Sequence, residues 1–98
     1  MEKQIIVGTL SEIADRAQSM LSFPQEERVL DYRALDPLLL SLEAELAHFP
    51  NPVASEKLSE LKLHLIMVAH LDDPDGYTDE EHCSRAAKIV EELQAELG

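Results

Sequence analysis

Apolar residues recur along most of this chain at intervals of three and four, the period of one helix face. Leu10, Ile13, Ala14, Ala17, Met20 and Leu21 form the first such stripe. Thr9 and Glu12 have the spacing of a capping box, so this helix is expected to start at Thr9. Ahead of it, Ile5-Ile6-Val7 is a β-branched run ended by Gly8. It reads as a short extended arm in preference to an early helical turn, although Ile6 continues the stripe from Leu10.

Ser22-Phe23-Pro24-Gln25 interrupts the pattern, and Pro24 suits the first turn of a second helix. Gln25, Glu26 and Glu27 supply polar and negative groups to that turn. A short, weakly amphipathic helix through Val29 and Leu30 is expected to end near Ala34. Asp36-Pro37 then has the form of an N-cap followed by a first helical residue. Leu35, Leu38, Leu39, Leu42, Leu46 and Phe49 make the cleanest stripe of all, with Leu40 off it.

Phe49-Pro50-Asn51-Pro52 leaves no helical alternative, and so short a break implies an antiparallel hairpin. The helix that follows is expected over Val53 to Leu71, with Ala54, Leu58, Leu61, Leu65 and Val68 as its seam. Its second half is apolar nearly all round, leaving His64 and His70 as the polar residues after Leu63. Such a helix is covered on more than one side, as the central helix of a domain or by a partner. The central position is the preferred reading.

Asp72-Asp73-Pro74-Asp75-Gly76-Tyr77 obeys every turn rule. Thr78 and Glu81 repeat the capping-box spacing, Asp79 and Glu80 favour a helix N-terminus, and Glu81 with Arg85 has ion-pair spacing. Cys83, Ala86, Ala87, Val90, Leu93 and Leu97 are expected to form the buried face of the last helix. The fold class is therefore all-α: one domain over residues 1–98, a small antiparallel bundle of four or five helices with a short N-terminal arm.

Composition changes this picture in one respect. Twenty Asp and Glu against eight Lys and Arg give a net charge of -12 on 98 residues that are 45% apolar. A magnitude of about 2–8 is enough to keep a small domain soluble. The excess repels nucleic acid and anionic membranes and attracts basic surfaces. Residues 72–81 hold six acids and no base: Asp72, Asp73, Asp75, Asp79, Glu80 and Glu81.

The other signals narrow the function by exclusion. The single cysteine, Cys83, rules out an internal disulfide and points to a reducing compartment. The N-terminus lacks the basic start and apolar core of a signal peptide, and the longest apolar run, Leu65 to Ala69, is far below the roughly 18–20 residues of a membrane span. A cytoplasmic location is the expectation.

The loop from Asp72 has three residues, Asp73, Asp75 and Gly76, in register with a calcium-binding EF-hand loop. The two end ligands fall on Leu71 and His82, neither of which supplies an oxygen, so calcium is not expected. His82 and Cys83 with Asp79 offer two ligands at most, and His64 and His70 lie on different faces of one helix. No metal or other cofactor is expected.

Cys83, on an apolar stripe in a negative field, reads as a core residue and not a nucleophile. Glu26-Glu27 and Glu91-Glu92 are carboxylate pairs on polar faces, without the burial that raises a catalytic pKa. With three glycines there is no phosphate-binding loop, and no catalytic residues are assigned.

What remains is binding. The chain is expected to be a small non-enzymatic regulator that inhibits or neutralises a protein partner with a basic surface. Inhibitors, immunity proteins, antitoxins and assembly chaperones share this physics. The acidic stretch and the preceding apolar half-helix supply the expected partner-binding residues: Asp72, Asp73, Asp75, Asp79, Glu80, Glu81, Met67 and Leu63. Two alternatives use the same features, a nucleic-acid mimic that occupies the groove of a DNA- or RNA-binding protein and a homodimeric assembly chaperone. Direct nucleic-acid binding and membrane binding are not expected.

Overall fold

The computed structural model describes residues 3–48 and 51–97. Among these residues four helices follow one another: α1 (Lys3–Met20), α2 (Gln25–His48), α3 (Pro52–Val68) and α4 (Asp79–Leu97). Contacts at the two ends show that they run alternately up and down. Gln94 near the end of α4 meets Val7 and Ser11 near the start of α1, and Asn51 before α3 meets Glu96. At the opposite end, Arg28 of α2 reaches the segment after α1, the last turn of α3 and the first residue of α4.

The stripes meet in one aliphatic core. Leu10, Ile13 and Met20 of α1, Leu35, Leu39 and Leu42 of α2, Leu61, Leu65 and Val68 of α3, and Leu93 of α4 are all buried almost completely. Burial of such side chains stabilises by roughly 1.5–3 kcal/mol each, enough to override weaker local signals.

Two local signals are overridden. The extended arm at residues 5–7 does not form, and α1 does not begin at Thr9. The helix is already running at Lys3 because Ile6 is buried and extends the stripe by one turn. Thr9 then sits mid-helix, where its hydroxyl donates to the carbonyl of Ile5 at 2.8 Å instead of capping. Gly8 is exposed in that turn.

Nor is there a break at Asp36-Pro37. One helix of 24 residues replaces the two expected, with Pro37 inside it. Tyr32 and Leu35 before the proline and Leu39, Leu42 and Leu46 after it lie on a single buried face. Pro37 itself is on the exposed side, so the carbonyl it leaves without a partner can be solvated. Leu30 is exposed, and the buried residue of this first part is Tyr32, which the periodicity did not single out. Phe49 lies outside the described residues.

The remaining starts follow the sequence. Asn51 caps α3 by accepting from the Ala54 N–H at 3.1 Å, with Pro52 in the first turn. The expected seam of α3, from Ala54 to Val68, is buried throughout. The extra apolar face divides, because Met67 is buried whereas Leu63 and Leu71 are exposed. Thr78 and Glu81 form the capping box of α4 in both directions, each bond 3.1 Å.

On α4 the buried face is His82, Cys83, Ala86, Ile89, Val90 and Leu93. Ala87, expected inside, is exposed, and Leu97 is only partly buried. Arg85 lies over the ring of Tyr77, 4.1 Å from its centre. No helix among the described residues is long and apolar enough to cross a membrane.

Candidate functional site

The upper end of the bundle gathers the polar groups that the core excludes. Helix α3 closes in a Schellman motif: the Leu71 N–H donates to Ile66 and the His70 N–H to Met67, both at 3.1 Å. The residue between helix and loop is His70, with φ of 58°, a left-handed conformation that glycine adopts more easily. This ends α3 before Leu71, where the apolar run alone would have carried it. The turn also brings His70 Nε2 to within 2.8 Å of Asp79 Oδ2.

Asp79 is the first residue of α4 and meets a second partner there, the guanidinium of Arg28. Arg28 Nη1 donates to Asp79 Oδ2 at 2.7 Å and to the Val68 carbonyl at 3.1 Å. Its Nε donates to Phe23 at 2.9 Å, and its Nη2 to Leu21 at 3.1 Å. One guanidinium thus satisfies carbonyls left over at the C-terminal ends of α1 and α3, where the helix dipoles favour a cation. Gln25 adds a bond to Ala69 at 2.7 Å. Burial raises the Asp79 carboxyl, but hydrogen bonds from Arg28 and His70 outweigh it and hold the group below the usual carboxylate range.

A second polar chain runs beside the first. His64 Nδ1 of α3 lies 2.9 Å from His82 Nδ1 of α4, and His82 Nε2 lies 3.0 Å from Asp75 Oδ1 in the loop. His82 is 2% exposed. The bond from His82 lowers the Asp75 carboxyl, aided by the Tyr77 backbone N–H on the same oxygen. Burial, then the neighbouring His82 and Arg85, lower His64. Tyr77 sets its ring edge-on to His82, with centres 5.9 Å apart.

Between these two chains is a cleft of about 300 Å³. Met67 and His82 are its buried lining, Asp79 is partly buried, and His70, Asp72, Pro74 and Tyr77 line its exposed side.

The eight expected binding residues therefore separate. Asp72, Asp73, Glu80, Glu81 and Leu63 are exposed. Met67 is buried. Asp75 is exposed but bonded to His82, and Asp79 is partly buried between Arg28 and His70. Two of the six acids are thus engaged inside the fold by cations and imidazoles distant in sequence.

Arg28, His64, Tyr77 and His82 are the residues that sequence reasoning missed. A signal existed for two of them. His82 occupies an apolar position of the α4 stripe, and Arg28 is a cation placed early in a helix whose first turn is otherwise acidic.

Among the described residues, no group of three or more His, Cys, Asp or Glu is placed to hold a metal ion. His64 and His70 turn to different partners, His82 and Asp79 respectively. Cys83 is buried, its Sγ 3.2 Å from the Ala17 carbonyl, and burial pushes its thiol up to about 11. A thiol so raised remains protonated and is a poor nucleophile near neutrality. No protein-family model, curated protein or solved structure matches the chain.

Proposed function

We propose that this protein is a small non-enzymatic regulator, and that it docks the α3–α4 loop and the start of α4 onto a basic surface of another protein, which it inhibits or neutralises. One observation carries this reading. Asp72, Asp73, Glu80 and Glu81 are exposed, and among the described residues no cationic side chain is bound to them, unlike Asp75 and Asp79. Within residues 71–81 they accompany two large exposed apolar side chains, Leu71 and Tyr77, the second of which lines the cleft. A charged rim around apolar anchors is the usual anatomy of a docking surface. The net charge of -12 adds long-range steering toward a basic partner, which raises the association rate more than the affinity.

The test begins with affinity capture and goes on to the salt dependence of the purified complex. Neutralising the four rim acids together (Asp72→Asn, Asp73→Asn, Glu80→Gln, Glu81→Gln) is expected to slow association about tenfold or more at low ionic strength. Neutralising four exposed acids elsewhere (Glu12, Glu26, Glu43 and Glu91) is expected to have a smaller effect. Equal effects from the two sets, or binding indifferent to salt, overturn the assignment. Displacement of the protein from its partner by DNA or RNA would support the nucleic-acid mimic instead. A dimer at micromolar concentration that survives neutralisation of the rim would support the assembly chaperone.

A further inference from the structure

The cleft beside the α3–α4 loop joins an apolar floor to a charged opening. The buried side chain of Met67 is its floor, and the exposed ring of Tyr77 is one of its walls. Arg85 lies over the Tyr77 ring but does not line the cleft, so the ring turns another side to it. At about 300 Å³ the space is at the lower limit of small-ligand pockets, which suits one long side chain.

Two carboxylates stand at the same cleft, Asp72 and Asp79. Asp79 is fixed by Arg28 and His70, whose bonds keep it ionised at neutral pH. Asp72 has one bond of its own: its Oδ1 accepts from the Asp73 N–H at 2.8 Å. Among the described residues no cationic side chain is paired with it. Six acids in residues 72–81 meet two guanidinium groups there, Arg28 and Arg85. The acids stay in excess even with His70 and His82 both charged.

This field repels an anion. An uncharged apolar group would take water from the Asp72 carboxylate and return no bond. A cation on an apolar stem satisfies both parts of the cleft, because the stem covers Met67 while the head stays at the mouth. Arginine suits the walls better than lysine. Its planar guanidinium stacks on aromatic rings, donates two parallel bonds to a carboxylate and is more weakly hydrated than an ammonium. The fold already places guanidinium groups on two of these lining residues, Arg28 on Asp79 and Arg85 on Tyr77.

We propose that the cleft is a receptor for a single arginine side chain of the partner protein, with its methylene stem on Met67 and its guanidinium between the Tyr77 ring and the Asp72 carboxylate. The source of that arginine rests on the docking reading. The chemistry of the cleft does not, and it is measured on the isolated protein.

The probe is N-acetyl-arginine methylamide, titrated into the full chain and followed by NMR at the Met67 methyl group and the backbone amides of residues 71–79. Met20, fully buried in the core, serves as the internal reference. Saturable shifts confined to the cleft are expected, with a Kd in the low millimolar range reached by so small a ligand. The citrulline analogue keeps the shape without the charge and is expected to bind at least ~5-fold more weakly. Asp72→Asn is expected to weaken the arginine compound about threefold, as for one exposed charge contact. Asp73→Asn with Glu80→Gln, outside the lining, is expected to matter less than Asp72→Asn. Equal binding of the citrulline analogue, tighter binding of the lysine compound, shifts that map elsewhere, or no saturation by ~50 mM overturns the receptor. Should the cleft fail while the four rim acids still govern association with a partner, the docking reading stands without it. Should the cleft bind arginine while partner binding ignores salt, the docking reading falls and the receptor stands.

Discussion

Arg28 Nη1 lies 2.7 Å from Asp79 Oδ2, joining the first turn of α2 to the first residue of α4 across 51 positions of sequence. The same guanidinium has little access to water: its side chain is 11% exposed, and it makes three further bonds to carbonyls at the ends of α1 and α3. Arg28→Ala leaves a partly buried carboxylate and three carbonyls without their donor. A loss of about 3–5 kcal/mol in urea unfolding is expected, the usual cost of removing one partner of a buried pair. Arg28→Lys is expected to recover less than half, because an ammonium cannot reproduce the planar fork. Full recovery by lysine would show that charge alone matters here.

Pro37 tests how strongly burial overrides a local break. It removes one backbone hydrogen bond from the middle of α2, yet the helix continues because its buried face is unbroken. Pro37→Ala is expected to stabilise the protein by about 1–2 kcal/mol, the helix gain less the entropy that proline removes from the unfolded chain. A lower urea midpoint would mean that the shape of α2 at Pro37 is needed for packing.

Acid should weaken the protein in two ranges. The His64 imidazole is held below its ordinary value of 6.5, so the unfolded chain takes up that proton first. Its contribution is present above pH 6.5 and declines as pH falls through the lower folded value. The Asp79 carboxyl is likewise held below 3.8, so its contribution is complete above that pH and is lost further into acid. Urea midpoints measured from pH 7 to pH 2 should show both declines. His64→Gln should flatten the first, and Asp79→Asn the second.

Cys83 should be protected by the fold. With its thiol raised to about 11 and its side chain buried, alkylation at pH 8 is expected to be at least ~100-fold slower than in urea. Rapid alkylation of the native protein would place α4 among the parts that open easily.

The helical features legible in the sequence rest on interactions within about four residues. The Thr78–Glu81 box, the start of α3 at Asn51-Pro52 and the apolar seams of α1 to α4 are of this kind, and they are sufficient for an all-α bundle. The same local signals misplaced the start of α1 and divided α2. A cap at Thr9 or a proline at position 37 is worth a few kcal/mol at most, and buried Ile6, Tyr32 and Leu35 outweigh it.

Charge was legible as an amount but not as a distribution. The six acids of residues 72–81 look alike in sequence, yet Arg28, His70 and His82 engage two of them and leave four outward. The sequence by itself determined the helices and the surplus of negative charge, because both follow from residue type and near neighbours. Only the tertiary structure decided which carboxylates meet a guanidinium or an imidazole, and that His64 meets His82. Those pairings depend on how three helix ends are brought together by a core that the polar residues do not share.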